Sequence, residues 1–278
     1  MPPSTVVDPS HAQVAQVFDL AAPDYDGPAL RFFPFCADRL VARLNPAAGE
    51  KILDVATGTG AVALAAAQAV GPTGRVIGID LAEGMLAQLQ RKLDKFGVAH
   101  VDLHVMDAAA LEFRGGYFHH TLCSFGLFFV RDMAAALKDW VRVTRPGGKV
   151  MFTAFGPAAF EPMKRLLLDR LQREGVDAGA PVQAAGRLAE TGNCHALLAA
   201  AGLDDITVET AQLGYHLRNA DEWWEIVRGS GFRGLVEKLP PVRREAFRAT
   251  HLAELAPLVT NKGLWLDVEV IFASGTKP

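Results

Sequence analysis

Apolar and polar positions follow two different rhythms along the middle of the chain. Short, nearly continuous apolar runs are typical of buried strands, whereas apolar positions that recur every three or four residues mark one face of a helix. The predicted strands span 51–56, 75–80, 101–106, 118–125 and 149–155, and the helices between them span 61–70, 83–96 and 133–143. Strands that alternate with helices of this length predict a parallel sheet with helices on both faces.

The pattern is less regular toward the N-terminus. Residues 1–15 show no clear periodicity, and we expect them to be disordered or weakly ordered. From 14 to 44 apolar positions recur at roughly helical spacing, but prolines and glycines interrupt them, so two or three short helices are expected. We assign residues 1–45 to an N-terminal helical lid.

The regular alternation also ends after residue 155. We expect further helices and strands at 160–173, 186–201, 206–217, 221–227, 240–258 and 264–274, where 206–217 and 264–274 are the strands. The segment of about 219–261 then forms a helical cap insertion before the last strand, within a sheet-bearing domain that spans 46–278. The predicted fold class is α/β, with a doubly wound, mostly parallel seven-stranded sheet, the helical lid and the helical insertion.

Composition excludes several classes of protein. The formal charge is −3 and the Lys and Arg residues are scattered, which argues against a nucleic-acid partner. Three widely spaced cysteines, Cys36, Cys123 and Cys194, indicate neither a disulfide framework nor a metal site, and favour a reducing, cytoplasmic location. The N-terminus resembles no secretory signal, and the longest apolar run is too short to insert into a membrane. The oligomeric state is left open, with a homo-oligomer among the alternatives.

Three acidic residues lie at the ends of three successive predicted strands: Asp54, Asp80 and Asp107. In an open parallel sheet, ligands bind beyond the carboxyl ends of the strands, so these carboxylates should line one crevice. The glycine-rich turn 56–60 lets the backbone approach a ligand closely. Asp80 follows that turn by about twenty residues, which is the spacing at which an acidic residue accepts hydrogen bonds from ribose hydroxyls.

The same turn leaves an alternative open. Residues 58–63 match the Gly-x-Gly-x-x-Ala form of a dinucleotide fingerprint, so an NAD-dependent oxidoreductase is one hypothesis. Asp54, immediately before the glycines, suits a cofactor with ammonium and sulfonium charges better than it suits a pyrophosphate. Asp107 is placed to accept a hydrogen bond from an adenine amino group. A Tyr-x-x-x-Lys set, which an oxidoreductase of this kind would need for proton relay, is missing from the sequence.

The segment Ile52–Gly60 resembles motif I of class I methyltransferases, in the form found in the ubiquinone/menaquinone-biosynthesis C-methyltransferases. Further segments resemble that group's other motifs in the same order: 18–26, 76–86, 107–108, 124–127 and 142–148. The resemblance implies S-adenosylmethionine as cofactor, S-adenosylhomocysteine as product, and methyl transfer to a small organic molecule by in-line displacement. A protein that binds the cofactor without turnover, and a methyltransferase of protein or nucleic acid, are the remaining alternatives.

The resemblance also assigns cofactor-binding residues. These are Tyr25, Asp54, Ala56, Thr57, Gly58, Gly60, Asp80, Leu81, Met85, Asp107, Ala108 and Ser124. In this assignment Asp54 helps to hold the ammonium group, Asp80 accepts from the ribose hydroxyls, and Asp107 meets the adenine edge. Tyr25 closes over the methionyl part from the lid.

Aromatic residues in the lid, after the fourth strand and at the start of the cap predict a pocket for a flat or hydrophobic acceptor. They are Phe32, Phe33, Phe125, Phe128, Phe129, Trp223 and Trp224. The alternative is that they fill the core between cap and sheet. His216, toward the carboxyl end of the sixth strand, is the best-placed candidate for a general base, because the pKa of histidine suits proton removal near neutrality. Carbon, oxygen and nitrogen all remain open as the acceptor atom.

Overall fold

A computed structural model of the chain describes residues 8–177 and 179–278. Its central sheet confirms the predicted fold class. Seven strands are described in this sheet: β1 (Lys51–Val55), β2 (Arg75–Asp80), β3 (Val101–Val105), β4 (His120–Ser124), β5 (Lys149–Phe155), β6 (Asp204–Gln212) and β9 (Glu269–Thr276). Their order is β3-β2-β1-β4-β5-β9-β6, and β9 runs antiparallel to both of its neighbours.

The chain changes direction across the sheet between β1 and β4. Strands β1, β2 and β3 step toward one edge, whereas β4 and β5 step toward the other. All five are parallel, so their carboxyl ends meet at the same edge of the sheet. This topological switch point is where an open α/β sheet forms a ligand crevice.

Helices cover the sheet and extend beyond it at both ends of the chain. They are α1 (Pro9–Ala21), α2 (Phe32–Leu44), α3 (Ala61–Val70), α4 (Glu83–Phe96), α5 (Met133–Val143), α6 (Met163–Arg173), α7 (Gly179–Gly186), α8 (Thr191–Ala200), α9 (Ala220–Arg228), α10 (Arg233–Val236) and α11 (Pro241–Leu255). None of the described helices is long and apolar enough to cross a membrane. The core lies between sheet and helices, where Trp140 and Phe152 are fully buried.

The expectation of weak order at the N-terminus is wrong for residues 9–15, which form the first half of α1. Asp8 caps this helix, because its side chain accepts from the backbone N–H of Ser10 at 2.8 Å. A proline at the first helical position adds a preset φ angle. Residues 1–7 lie outside the described residues.

Two predicted strands are each divided in the structure. Segment 206–217 separates into β6 and β7 (Tyr215–Leu217), and 264–274 separates into β8 (Leu264–Leu266) and β9. Strands β7 and β8 pair with each other in a two-stranded sheet of their own. The turn at Gly214 has no room for a side chain, since a Cβ there would lie 2.5 Å from the carbonyl oxygen of Leu266. The predicted helix 186–201 is shorter in the structure, where α8 begins only at Thr191, and α7, which ends at Gly186, has no counterpart in the prediction.

Candidate functional site

A cavity of about 710 Å³, including its open mouth, lies at the carboxyl ends of the parallel strands. Nine of the twelve predicted cofactor residues line it: Tyr25, Ala56, Gly58, Asp80, Leu81, Met85, Asp107, Ala108 and Ser124. The other three, Asp54, Thr57 and Gly60, are buried beside it without lining it. We call this space the strand-end cavity.

Asp80 joins two elements at the floor of the strand-end cavity. Its Oδ2 atom accepts from the backbone N–H of Gly58 at 2.8 Å, and its Oδ1 atom accepts from the backbone N–H of Ala82 at 2.9 Å. Burial raises the pKa of this carboxyl, although the two backbone donors counteract the shift. The carboxylate is thereby held in one orientation between the glycine-rich turn and the start of α4.

Glycine is needed at the two positions of the turn for different structural reasons. Gly58 has a φ of +55° and open space where a Cβ would stand, so the backbone is exposed to the cavity. Gly60 has a φ of +88°, and a Cβ there would lie 2.1 Å from a methyl carbon of Leu89. Gly60 therefore lets α3 and α4 approach each other, whereas Gly58 lets the backbone approach a ligand.

Asp54 lies beneath the turn and is only 1% exposed. Its Oδ2 atom accepts from the hydroxyl of Thr57 at 2.5 Å. Its Oδ1 atom is buried with no hydrogen-bond partner among the described residues. Burial raises the pKa of this carboxyl to about 7, with the neighbouring Asp80 carboxylate adding to the effect. An unsatisfied buried oxygen of this kind is expensive unless a ligand or water completes its hydrogen bonds.

His11 is a site residue that the sequence analysis missed. Its Nδ1 atom lies 2.9 Å from Oδ2 of Asp107, and its Nε2 atom accepts from the backbone N–H of Arg131 at 3.1 Å. Four residues of α1 line the strand-end cavity: His11, Val14, Ala15 and Phe18. Their spacing places them on one face of a helix, and this periodicity was the signal that could have revealed the helix.

A second cavity, of about 1120 Å³ including its mouth, is walled mainly by aromatic rings, and we call it the aromatic cavity. Five of the seven predicted acceptor residues line it: Phe32, Phe33, Phe125, Phe128 and Phe129. Phe155, Phe160 and Phe232, which the sequence analysis did not single out, complete the wall. The rings of Phe125 and Phe155 are stacked, with centroids 4.1 Å apart.

The two cavities meet at a common wall. Phe18, Tyr25, Phe125 and Phe129 line both of them. Phe125 reaches this wall from a left-handed backbone conformation at φ 56°, which is uncommon for a bulky residue and places its ring directly after β4. A molecule in the aromatic cavity would therefore lie against a molecule in the strand-end cavity.

Trp223 and Trp224 lie elsewhere than predicted, since neither lines the aromatic cavity. Trp223 is fully buried and donates its indole N–H to Nε2 of His251 at 2.9 Å. Burial lowers the pKa of His251 to about 4, so the ring is neutral and its Nε2 atom accepts. Trp224 packs near Phe247 at a ring distance of 6.3 Å. The structure thus places both tryptophans in the packing of the cap helices.

The structure also keeps His216 away from both cavities. It lies in β7, is exposed, and has its ring 5.1 Å from that of Trp265. It lines neither the strand-end cavity nor the aromatic cavity. The division of the predicted sixth strand at Gly214 is the physical reason, because it removes His216 from the central sheet.

Lys164 and two buried thiols are further ionisable groups near the cavities. Lys164 lines the aromatic cavity, donates to the carbonyl oxygen of Ala159 at 2.9 Å, and pairs with Glu161 at 3.2 Å. Burial raises the pKa of Cys36 to about 12 and raises that of Cys123 as well, so both thiols are protonated at neutral pH. In the described parts of the chain, no three His, Cys, Asp or Glu side chains are grouped as a metal ion would require.

Comparison with known proteins confirms the resemblance. A model of the ubiE/COQ5 methyltransferase family matches residues 6–166. Aklanonic acid methyltransferase from Streptomyces sp. strain C5 is 33% identical over 172 residues, which cover 58% of this chain and 78% of that protein. Nocamycin O-methyltransferase from Saccharothrix syringae is 29% identical over 272 residues, which cover 93% of this chain and 96% of that protein.

A solved structure confirms the fold. Phosphoethanolamine N-methyltransferase 2 from Haemonchus contortus, in complex with phosphomonomethylethanolamine and S-adenosylhomocysteine, aligns with a TM-score of 0.61 at 17% identity. The alignment covers 98% of this chain and 61% of that one. At this level of identity the similarity concerns the fold alone.

Proposed function

Because the chain belongs to the ubiE/COQ5 methyltransferase family and takes S-adenosylmethionine as its methyl donor, we propose that it methylates a flat aromatic or hydrophobic small molecule held in the aromatic cavity. The observation that carries this proposal is the common wall of Phe18, Tyr25, Phe125 and Phe129. That wall would bring an acceptor beside the cofactor. The family match favours methyl transfer over the oxidoreductase that the glycine-rich turn alone left open.

The residues of the strand-end cavity fit the cofactor. Asp80 would accept from the ribose hydroxyls, because its carboxylate lines the cavity and is held by two backbone donors. Asp107 would meet the adenine amino group, and Leu81 and Met85 would lie against the adenine faces. The partnerless Oδ1 atom of Asp54 supports its assignment to the ammonium group, directly or through a water molecule.

Bound S-adenosylmethionine supplies a methyl group that its sulfonium already activates for in-line displacement. The chain's own contribution is then to align the acceptor with that methyl group and to exclude water. Orientation of this kind supplies about 7–11 kcal/mol in well-matched intramolecular reactions. Phe33, Phe125 and Phe129 line the aromatic cavity with apolar surface, which favours a step in which opposite charges neutralise. His216, outside both cavities, is not proposed as the base.

We also propose that 1–45 act as a lid and 219–261 as a cap. The lid role is supported by α1, from which four residues line the strand-end cavity. The cap role is supported by Ile226 and Phe232, which line the aromatic cavity from within that insertion. A cytoplasmic location is supported by three free, buried cysteines, which suit a reducing compartment.

The test is turnover with a panel of acceptors. The purified protein is incubated with S-adenosylmethionine and flat aromatic, aliphatic and highly polar small molecules, and S-adenosylhomocysteine and acceptors with one added methyl group are measured by mass spectrometry. We expect product from members of the aromatic group, and a large loss of that product in Phe33→Ala. Methylation confined to the polar compounds, or no effect of Phe33→Ala, would overturn the proposed acceptor class.

A further inference from the structure

We propose that His11, carried by the lid helix α1, holds the Asp107 carboxylate in the orientation that recognises the amino group of the cofactor's adenine. His11 is then a positioning residue for cofactor discrimination. The inference rests on the proposed placement of adenine beside Asp107. It starts from the 2.9 Å contact between Nδ1 of His11 and Oδ2 of Asp107.

The hydrogen bonds of His11 define its tautomer. The backbone N–H of Arg131 can only donate, so Nε2 of His11 must accept from it at 3.1 Å. In a neutral imidazole the proton then lies on Nδ1, and Nδ1 donates to Oδ2 of Asp107. His11 is 7% exposed, so little water competes for this hydrogen bond.

Asp107 is fixed from its other side as well. Its Oδ1 atom accepts from the backbone N–H of Ala109 at 2.8 Å. The carboxylate is thus held at both oxygens, and each oxygen can accept a further hydrogen bond. The neighbouring carbonyl oxygen of Ala108 already accepts from the indole N–H of Trp140 at 2.8 Å. Asp107 is therefore a well-placed acceptor for a donor in this part of the strand-end cavity.

An acceptor-only group discriminates between purines. An ionised carboxylate accepts a hydrogen bond from the 6-amino group of adenine. The 6-oxo group of hypoxanthine has no hydrogen to donate, so its oxygen and the carboxylate oxygen repel each other. A site built for a hydrogen bond rejects an analogue that cannot make it. Such discrimination requires the carboxylate to stay in one orientation, and His11 supplies one of its two restraints.

The chain offers a control for the general effect of loosening the lid. Asp8 caps α1 through the N–H of Ser10 and pairs with the side chain of Arg131 at 2.9 Å. No hydrogen bond links it to Asp107. Asp8→Ala should therefore weaken the seating of α1 without removing either partner of the His11–Asp107 hydrogen bond.

The experiment is calorimetric titration with S-adenosylhomocysteine and with its 6-oxo analogue, S-inosylhomocysteine. In His11→Ala we expect the affinity for S-adenosylhomocysteine to fall about tenfold, the size of one charge-assisted hydrogen bond, and the preference over the analogue to narrow by a similar factor. In Asp8→Ala, which keeps both partners of the hydrogen bond, we expect both affinities to fall together and the preference to narrow less than in His11→Ala. A preference that is the same in wild type and His11→Ala would overturn the inference.

Conservative variants keep the test decisive if His11→Ala does not fold. Asn places an N–H₂ group near the position of Nδ1, whereas Gln places it near that of Nε2. We expect His11→Asn to keep the preference within about threefold and His11→Gln to lose it, since only the former preserves a donor toward Asp107. Equal preferences in these two variants would overturn the inference. Failure of the wild type to bind S-adenosylhomocysteine would instead overturn the proposed placement of the cofactor.

Discussion

Thr57 donates its hydroxyl to one oxygen of Asp54 at 2.5 Å, while the other oxygen of the same carboxyl is buried without a partner among the described residues. Burial raises the pKa of Asp54 to about 7. The free protein therefore holds a carboxyl whose ionised form is destabilised by the fold. We expect this raised pKa to affect both the free energy of unfolding and the binding of the cofactor.

The first prediction concerns stability. The folded-state pKa of Asp54 lies above its unfolded value, so the folded protein retains a proton that the unfolded chain releases. Stability should therefore fall as pH rises from about 4 to about 7, by on the order of 4 kcal/mol from this group. Asp54→Asn, which keeps an acceptor for Thr57, should abolish this term. Denaturant unfolding should show the variant matching wild type near pH 4 and exceeding its unfolding free energy at pH 8.

The wild type has to be compared with Asp54→Asn because Asp80 also has a raised pKa. That group is present in both proteins, so the difference between their pH profiles reports on Asp54 together with its electrostatic coupling to Asp80. A difference that is flat from pH 4 to pH 8 would show that Asp54 titrates normally in the folded state.

The second prediction concerns the pH dependence of cofactor binding. If the ammonium group of S-adenosylmethionine completes the hydrogen bonds of Asp54, binding requires the ionised carboxylate. The dissociation constant should then rise up to about tenfold per pH unit as pH falls below 7. Calorimetry between pH 5.5 and 7.5 measures this slope. Asp54→Asn should bind weakly with a flatter profile, and a steep profile retained in that variant would assign the titration to another group.

The strand ends can be predicted from sequence because the physics there is local. Parallel strands place their carboxyl ends at one edge of a sheet, so the positions of Asp80 and Asp107 at strand ends are enough to predict that they share one crevice. Both line the strand-end cavity. The glycine-rich turn can also be predicted from the sequence. Only the structure shows that Gly58 is open to the cavity whereas Gly60 packs against Leu89.

The remaining site residues depend on how distant segments pack. His11 reaches Asp107 across 96 positions of sequence because α1 packs against α4 and α10. Trp223 and Trp224 are adjacent aromatic residues in an amphipathic helix, and periodicity alone does not say whether they face a cavity or the cap interior. The prediction that placed His216 in the sixth strand is wrong because the strand breaks at Gly214. That break depends on a close contact with Leu266, and a contact so distant in sequence leaves no local pattern.

The third prediction concerns the acceptor wall. Phe33 lines the aromatic cavity but not the strand-end cavity. Phe33→Ala should raise the KM for an aromatic acceptor about tenfold or more, because burying such a ring contributes about 1.5–3 kcal/mol. The affinity for S-adenosylmethionine should stay within about threefold. Phe35→Ala is the matched control, since Phe35 lies in the same helix, is 45% exposed and lines neither cavity.

Equal effects of Phe33→Ala and Phe35→Ala on the acceptor KM would indicate that α2 is merely destabilised. Phe33 would then make no specific contact with the acceptor, and the proposed acceptor site in the aromatic cavity would be contradicted.

The fourth prediction concerns His216. It is exposed in β7 and lines neither cavity, so His216→Ala should leave kcat, KM and the pH dependence of turnover unchanged within about twofold. Steady-state kinetics with any accepted substrate measure this. Loss of the acidic limb of the rate profile in the variant would restore His216 as a base and require a movement of the two-stranded sheet.

We expect the strand-end cavity to bind S-adenosylmethionine through Asp80. Calorimetric titration of the wild type with S-adenosylmethionine, S-adenosylhomocysteine and NADH tests it most directly, with Asp80→Asn as the variant and the exposed Asp94→Asn as its control. Because an amide would turn an N–H₂ group toward the backbone N–H of Gly58 or Ala82, Asp80→Asn should weaken both adenosyl ligands at least about tenfold. Asp94→Asn should leave their affinities unchanged, and NADH should not bind. Binding of NADH, or adenosyl ligands held equally well by Asp80→Asn, would overturn the assignment of this cavity to S-adenosylmethionine.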